Sequence, residues 1–374
     1  MIRIALQSLF FERGKLLAAL SGVAFAANLV LVQAGLFFGF QRSSTSVISR
    51  VGGDLWVMAR GTQLVDFADP LSPGVGDVVR ATPCVARARP VIFSWATIRK
   101  PSGGVDNVQL IAAEAGPGRA LPWSLAEGLP SDLRAPMRVA VDGADLARLE
   151  LPPRAIGAPV ELQDRTVHVG AVTHGIRSFT VVPYLFAEPR EARRILGLAD
   201  GQATFWAVDL ADRACAPAVR AGIERHPDLA VRDRAQFERM TSQYWVIGSG
   251  AGATLAFAAL LGLIVGLVVV GQTLYSLTEG RSRELATLKA MGASGRELAA
   301  FVIWQAGFLA VVGSGFGLVA AAGMKMAVLA LGLTVVLDAT VIGAGLGAIA
   351  GMCALASLAS VRKVIRLEAA RVFK

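Results

Sequence analysis

The sequence predicts an α-helical membrane protein with four transmembrane helices and a mixed α/β extracytoplasmic domain inserted between helices 1 and 2. Three observations predict it: four long uncharged apolar runs, a 200-residue stretch of short strand-like segments between the first two, and a basic excess gathered at the ends of the runs. Hydrophobic residues make up 54% of the 374-residue chain and charged residues 17%. A soluble domain carries about 45–50% apolar and about 25% charged residues, so a disordered chain and an ordinary soluble enzyme are both disfavoured.

The uncharged runs are Leu16–Gln41, Met240–Thr278, Leu298–Met324 and Ala339–Val361. A bilayer core of ~30 Å needs about 20 helical residues, and each run reaches that length. Arg3, Arg13 and Lys15 before the first run resemble the basic start of a signal peptide. The run then continues to Phe40, well beyond the ~7–15 residues of a signal core, so an uncleaved anchor is expected.

The net charge is +9, and its location decides what it means. Residues 1–15, 279–297 and 362–374 together hold twelve basic and five acidic residues. The segment 42–239 is nearly balanced, with 24 basic and 22 acidic. Loops rich in Lys and Arg stay on the cytoplasmic side. Both termini are thus expected inside, with the large domain outside. No basic face remains for nucleic acid. The expected layout is 1–15 a cytoplasmic interfacial helix, 16–41 the first span, 42–245 the periplasmic domain, 246–278 the second span and 279–297 a cytoplasmic loop. Then follow 298–324 the third span, 325–338 a short periplasmic loop, 339–361 the fourth span and 362–374 a cytoplasmic tail.

Small residues repeat at four within the spans: Gly35 and Gly39, Gly262 and Gly266, Gly313 and Gly317, and the triple Gly343, Gly347 and Gly351. That spacing bares backbone on one helix face and lets helices approach closely, although Gly-rich spans also produce it by chance.

In the outer segment, β-like runs occur at Asp54–Ala59, Pro90–Arg99, Val105–Ala113, Arg138–Val141, Val167–Val172, Phe179–Pro183 and Thr204–Asp209. The turn residues of Arg99–Gly104 read as a hairpin between the second and third runs. Helices are expected at Gly143–Leu149, Arg190–Leu196 and Ala216–Glu224. Cys84 and Cys215 share an oxidising compartment in this layout; their pairing is open from spacing alone. His168 and His174 have no clustered carboxylate or thiolate beside them, so no metal site is expected. Asp142 and Asp145 read as a solvated pair.

A phosphate-binding loop needs Lys followed by Ser or Thr. None of Lys15, Lys100, Lys289, Lys325, Lys363 and Lys374 is so followed, and any ATP and Mg would sit on another chain. The loop 279–297 is the most informative stretch. Leu285, Leu288 and Met291 lie three apart on one helical stripe, and Glu279 precedes Arg283 by four, the favourable order for a helical pair. Gly292 ends this helix, and Ser294–Glu297 is a capping box for the next. Such a helix either rests on lipid or docks as a lever into a partner.

The motif Glu279-Gly-Arg-Ser-Arg-Glu-Leu-Ala-Thr-Leu-Lys-Ala-Met-Gly-Ala-Ser294 resembles the signature of FtsX/MacB-type ABC transporter permeases, the type VII superfamily. Gly52-Gly-Asp-Leu-Trp-Val-Met58 and Val139–Leu149 are similar to that family's outer core domain, so the 42–245 segment resembles a MacB-like periplasmic core domain. Ala5–Leu17 and the Gly-Asp-Leu-Trp segment look most like the DevC subgroup, with Gly280 standing where arginine is commoner. The resemblance implies a non-catalytic permease subunit of an exporter, with no cofactor of its own. It implies a homodimer, a separate ABC ATPase, a membrane-fusion adaptor with an outer-membrane channel, and a lipidic or amphiphilic cargo. In such proteins the helix after the second span couples to the ATPase. Carried over, Leu285, Leu288 and Met291 would fill a groove on the partner, while Arg283, Glu284 and Lys289 fix orientation. The same superfamily includes lipoprotein-release permeases and FtsX-like transmembrane signalling regulators that move no cargo.

Overall fold

The computed structural model describes residues 10–11, 13–114, 116, 121–176, 178, 180, 182–280, 286–287, 289–330 and 335–365. Two compact units form: Gln41–Gly250, and 1–40 together with 251–374.

The second of these is helical. It holds α1 (Arg13–Ser44, which runs on into the other unit), α7 (Ala251–Gly280), α8 (Gly295–Ala330) and α9 (Ala339–Ile365), all long and apolar enough to cross a membrane. At 1.5 Å per residue even the 27-residue α9 measures about 40 Å, longer than the hydrocarbon core. The inner faces meet in one apolar cluster: Val23 and Ala27 of α1, Val270 and Leu274 of α7, Leu309 of α8, and Ile349 and Cys353 of α9. Phe257, Leu260, Ile264, Val265 and Val268 of α7 face outward, which suits lipid and not water.

The unit Gln41–Gly250 is built on a ten-stranded mixed sheet. Its strands are β1 (Leu55–Ala59), β2 (Val85–Arg99), β3 (Val105–Ala113), β4 (Leu125–Glu127), β5 (Arg138–Asp142), β6 (Pro159–Leu162), β7 (Arg165–Thr173), β8 (Tyr184–Ala187), β9 (Phe205–Leu210) and β10 (Leu229–Asp233). The order is β10-β1-β9-β2-β3-β8-β5-β7-β4, with β6 joining β2 and β7. The β3/β8 and β5/β7 pairs are parallel and the others antiparallel. Interleaved are α2 (Ser46–Val51), α3 (Val75–Ala81), α4 (Pro189–Leu196), α5 (Ala216–Ile223) and α6 (Arg234–Gln243).

Both sheet faces are covered, which explains why the strands read as continuous apolar runs. Successive side chains point to opposite faces. Leu55 and Val57 of β1 and Trp206 and Val208 of β9 enter one core, with Val79 of α3, Ile195 of α4 and Val219 and Ile223 of α5. Trp56, Met58, Phe205 and Ala207 enter the other, with Val47, Ile48 and Val51 of α2 and Phe237 of α6. Gly76 of α3 has no side chain because a Cβ there would collide with the Trp206 ring.

Several expectations need correction. Residues 143–150 form successive turns and no helix. The carboxylate of Asp142 holds them: Oδ1 accepts from Ala144 N–H at 3.1 Å, and Oδ2 accepts from the Thr173 hydroxyl at 3.0 Å and Ile176 N–H at 2.9 Å. Asp142 and Asp145 are therefore buried, not solvated. The strand expected at Phe179–Pro183 lies at Tyr184–Ala187 instead, with Phe179 and Val181 outside the described residues. Strands β4, β6 and β10 and helices α3 and α6 have no counterpart among the expected segments. The helix packing expected of Gly343, Gly347 and Gly351 is not formed within this chain either. Contrary to that expectation, Gly343, Gly347 and Gly351 are all exposed on α9, because the helix is rotated to turn Gly345 inward. His168 lies exposed on β7, as the alternation requires.

Cys84 and Cys215 form a disulfide across 131 residues of chain, tying the start of β2 to the start of α5. Closing so long a loop restricts the unfolded chain strongly, by about 2–4 kcal/mol in typical proteins. The double substitution Cys84→Ala with Cys215→Ala is expected to lower domain stability by about that amount. Thermal unfolding with and without reductant measures it, and the substituted protein should no longer respond to reductant.

Candidate functional site

The loop after α7 carries the residues expected to meet a partner. Arg283, Glu284, Leu285 and Leu288 lie outside the described residues. Lys289 is half-buried and Met291 is 72% exposed, so the end of the stripe leaves a large apolar side chain uncovered by this chain. Ala286, Thr287, Lys289 and Ala290 are helical. Met291 N–H donates to Thr287 O at 2.9 Å, and Gly292 then ends the helix at φ +100°, a conformation that suits glycine alone. The capping box is formed as expected: Ser294 N–H donates to Glu297 Oε2 at 2.8 Å, and Glu297 N–H donates to Ser294 Oγ at 3.3 Å. Leu298, Phe301 and Val302 of the following helix are buried together, packed by Ala293 and Val361, which fixes the loop's downstream end.

The glycines show where the helices approach most closely. A Cβ on Gly313 would stand 2.6 Å from Val23 of α1. One on Gly317 would meet Ala27, Ala24 O at 2.8 Å and Asn28 N at 3.0 Å. Gly262 of α7 faces Leu29, and Gly266 lies against Ala26 and Met352. Gly35 of α1 receives Val335 and Val336, and its carbonyl accepts from Val336 N–H at 3.0 Å; Gly39 is buried too. Each of the other three helices thus approaches α1 closely, and α9 packs against α7 and α8 as well. The predicted row on α9 does not join them. Added Cβ atoms on Gly343, Gly347 and Gly351 would each meet nothing within 4 Å, so none of the three is a packing residue within this chain. Gly351, although next in sequence to the buried Met352, is exposed like Gly343 and Gly347. Gly345 packs instead, against Leu31. Two helical residues turn through about 200°, so Gly345 lies opposite Gly343. A cleft of about 300 Å³ opens between α1 and α7, lined by Lys15, Ala18, Ala19, Val269, Gln272, Thr273 and Ser276.

In the α/β unit, two buried charges organise the chain, and neither stands out in the sequence. Arg89 is 1% exposed on β2. Its Nε donates to Asp209 Oδ2 at 3.1 Å and Nη2 to Asp209 Oδ1 at 3.2 Å, while Nη1 donates to the carbonyls of Val51 at 3.2 Å and Glu114 at 2.9 Å. In sequence it alternates with Arg87, a pattern that reads as solvated. Asp66, 2% exposed, sits in the connection between β1 and α3. Its Oδ2 accepts from Trp245 Nε1 at 2.9 Å and its Oδ1 from Gln109 Nε2 at 3.2 Å, and its carbonyl accepts from Trp95 Nε1 at 3.0 Å. Ser178 extends the network, donating to Gln109 Oε1 at 3.4 Å. Burial pushes the Asp66 carboxyl up to about 6 against the two donors, which pull it down. Tyr184, a titratable neighbour, is held neutral by burial and by the Asp66 charge. Trp245 follows α6 in a π-helical turn, Tyr244–Gly248, just before α7. Among the described residues no group of three or more His, Cys, Asp or Glu side chains is arranged to hold a metal.

Residues 256–369 match the family model described as FtsX-like permease C-terminal, a region that contains α8, α9, the capping box and most of α7. No curated protein matches the chain. Among solved structures, the periplasmic region of MacB from Actinobacillus actinomycetemcomitans is similar at 11% identity and a TM-score of 0.38, covering 51% of this chain and 94% of that one. The extracellular domain of the noncanonic ABC-type transporter YknZ from Gram-positive bacteria is similar at 11% identity and a TM-score of 0.36, covering 48% and 98%.

The two kinds of glycine position should respond differently to bulk. Gly317→Leu forces a side chain onto backbone atoms and should destabilise the bundle by about 1–3 kcal/mol, whereas Gly347→Leu enters open space and should be nearly neutral. Thermal unfolding of the two purified variants in detergent compares them. Asp66 makes stability depend on pH. Its folded pKa lies above its ordinary 3.8, so the folded state retains a proton that the unfolded state releases. The associated stability is complete below about pH 4 and is lost as pH rises through 6, by about 3 kcal/mol in all. In Asp66→Asn this loss between pH 4 and 7 should vanish, which melting temperatures across that range would read.

Proposed function

We propose that this chain is the permease subunit of an ABC exporter, driven by a separate ATPase. The observation that carries the reading is the FtsX-like permease match over residues 256–369, which includes the loop whose capping box and terminating glycine are formed. The chain has no phosphate-binding loop of its own, so ATP and Mg belong to the partner. On this reading the α/β unit, inserted between the first two spans, lies in the periplasm and both termini lie in the cytoplasm. The basic residues at the three flanking segments support that orientation. The subunit works as a homodimer in the bacterial inner membrane, with a membrane-fusion adaptor and an outer-membrane channel, in the manner of the DevC subgroup. The cargo is lipidic or amphiphilic, since the spans offer few polar groups to line an aqueous path.

ATP binding closes the ATPase dimer, and the loop helix passes that movement to the spans. Leu285, Leu288 and Met291 seat the helix in a groove of the ATPase, and Arg283, Glu284 and Lys289 orient it. The exposure of Met291 supports this role, because this chain leaves its apolar side chain uncovered and able to enter a partner's groove. Replacing Leu285 and Leu288 together by Asp places two charges in that groove. Co-purification of the cognate ATPase with the tagged permease should then be lost while the permease itself still inserts. Retention of the ATPase at the unsubstituted level would overturn the coupling assignment.

A further inference from the structure

The α/β unit carries an exposed aromatic patch that neither its two cores nor the coupling loop uses. Phe67 is 56% exposed and Ile247 74%. Phe67 stacks on Trp95, with ring centroids 5.8 Å apart and an interplanar angle of 21°. It leans on Trp245 at 6.4 Å, and Tyr244 meets Trp245 edge-on at 5.7 Å. Phe67 thus joins two segments distant in sequence into one apolar surface.

The indoles in this patch are turned in an unusual way. Trp95 and Trp245 both direct their N–H groups inward, one to the Asp66 carbonyl and the other to its carboxylate. Their polar tips are therefore satisfied within the fold. What they offer outward is ring surface, which suits an apolar occupant and gives a polar protein partner little to bond.

Chain length says which apolar occupant is within reach. Ile247 precedes Ala251, the first residue of α7, by four residues, so the two lie within about 14 Å even if the backbone is fully extended. Helix α7 is long and apolar enough to span a bilayer, and no charged residue lies between Met240 and Thr278. Aromatic rings collect at the boundary between hydrocarbon and water. We propose that Phe67, Trp95, Tyr244, Trp245 and Ile247 seat the α/β unit in the headgroup and upper acyl region of the bilayer that α7 enters. The Asp66 bonds hold this patch in shape, and Phe67 carries the seat beyond the chain that leads into the span.

The test uses the full chain in phosphatidylcholine nanodiscs, with Cys353→Ala removing the free thiol and the Cys84–Cys215 disulfide left intact. Phe67→Cys, Ile247→Cys and, as an exposed reference in the same unit, Leu129→Cys are each labelled with a polarity-sensitive fluorophore. Lipids bearing a nitroxide high on the acyl chain are then introduced. Labels at 67 and 247 should emit to the blue of the label at 129 and be quenched several-fold more. Quenching at 247 alone reports only closeness to the span and overturns the proposal, as does a label at 67 that is as wet and unquenched as that at 129. All three positions are exposed side chains, so labelling leaves both cores untouched. Oxidised and reduced electrophoretic mobility confirms that the disulfide has formed in each variant.

Discussion

A guanidinium buried to 1% exposure cannot be left without partners, and the α/β unit is arranged around meeting that demand for Arg89. Removing one side of a buried ion pair typically costs about 3–5 kcal/mol, because the other charge stays desolvated. Arg89 answers with a two-point pairing to Asp209 on the neighbouring strand β9 and with the carbonyls of Val51 and Glu114. Those four bonds fix more than one strand pair. Val51 is the last residue of α2, the helix that follows α1 in the chain, and Glu114 is the first residue after β3. One side chain thereby locks the arrival of the chain, the central strands and the exit from the β2/β3 hairpin into a single arrangement. Apolar contact then fills the space around it. Val47, Ile48 and Val51 of α2 and Phe237 of α6 enter the same core, so the first and last helices of the unit rest on one sheet face.

The helical unit solves a different problem. In lipid, apolar side chains gain nothing by leaving the solvent, so helices associate through close contact and local hydrogen bonds. The glycines of α7, α8 and α9 that press on α1 supply that contact, and Gly317 brings α8 against α1 backbone atoms themselves. Several hydroxyls inside the spans bond within their own helices, as where Thr273 donates to Val269 O at 2.7 Å and Thr278 to Leu274 O at 2.8 Å. Helix α7 buries the least of itself, leaving Phe257, Leu260 and Ile264 outward. Its packing against α1 and α9 is confined to the stripe containing Gly262, Gly266 and Val270.

The features legible in sequence were those set by a repeating physical rule. Span length follows from bilayer thickness, and four helices meet it. Strand β3 follows from an unbroken apolar run, and its bounds, Val105–Ala113, are those expected. The capping box follows from Ser294 and Glu297 alone. Features set by tertiary context were not legible. Asp142 looks solvated beside Asp145 because sequence cannot show that Thr173 and Ile176, more than thirty residues away, turn their donors to it. Arg89 and Asp66 are single charges amid ordinary composition, and only the fold supplies their partners. Among the glycines, spacing marks Gly313 and Gly317 no differently from Gly343, Gly347 and Gly351. Which row packs depends on the rotation of each helix. The fourth helix turns Gly345 inward, so Gly343, Gly347 and Gly351 do not pack within this chain and all three face outward. The pairing of Cys84 with Cys215 is of the same kind, since it requires β9 to lie beside β2.

The chain before α7 shows how the end of the α/β unit is held. An uninterrupted helix from Met240 to Thr278 would act as a rod, carrying any movement of the span directly into the sheet. The chain does not build that rod. Helix α6 gives way at Tyr244 to a π-helical turn, closed by Ser249 N–H donating to Tyr244 O at 2.8 Å, and Gly250 then takes φ +74°, outside the helical region. A backbone that reverses its handedness at one residue bends there more readily than a continuous helix. Stiffness at this point therefore comes from the side chains that hold the turn. Of these, Trp245 donates to the carboxylate of Asp66, 179 residues away in sequence, which also receives Gln109 from β3, so the turn is tied through Asp66 to the centre of the sheet. Arg89 provides the corresponding tie at the other end of the unit, through Val51. Both ties are hydrogen bonds to buried charged groups, which are directional and have no water to replace a lost partner. A displacement of either end must then be passed to the strands or break a bond that the interior cannot otherwise satisfy. These two bonds, and not a helical rod, hold the two ends of the unit to its own sheet.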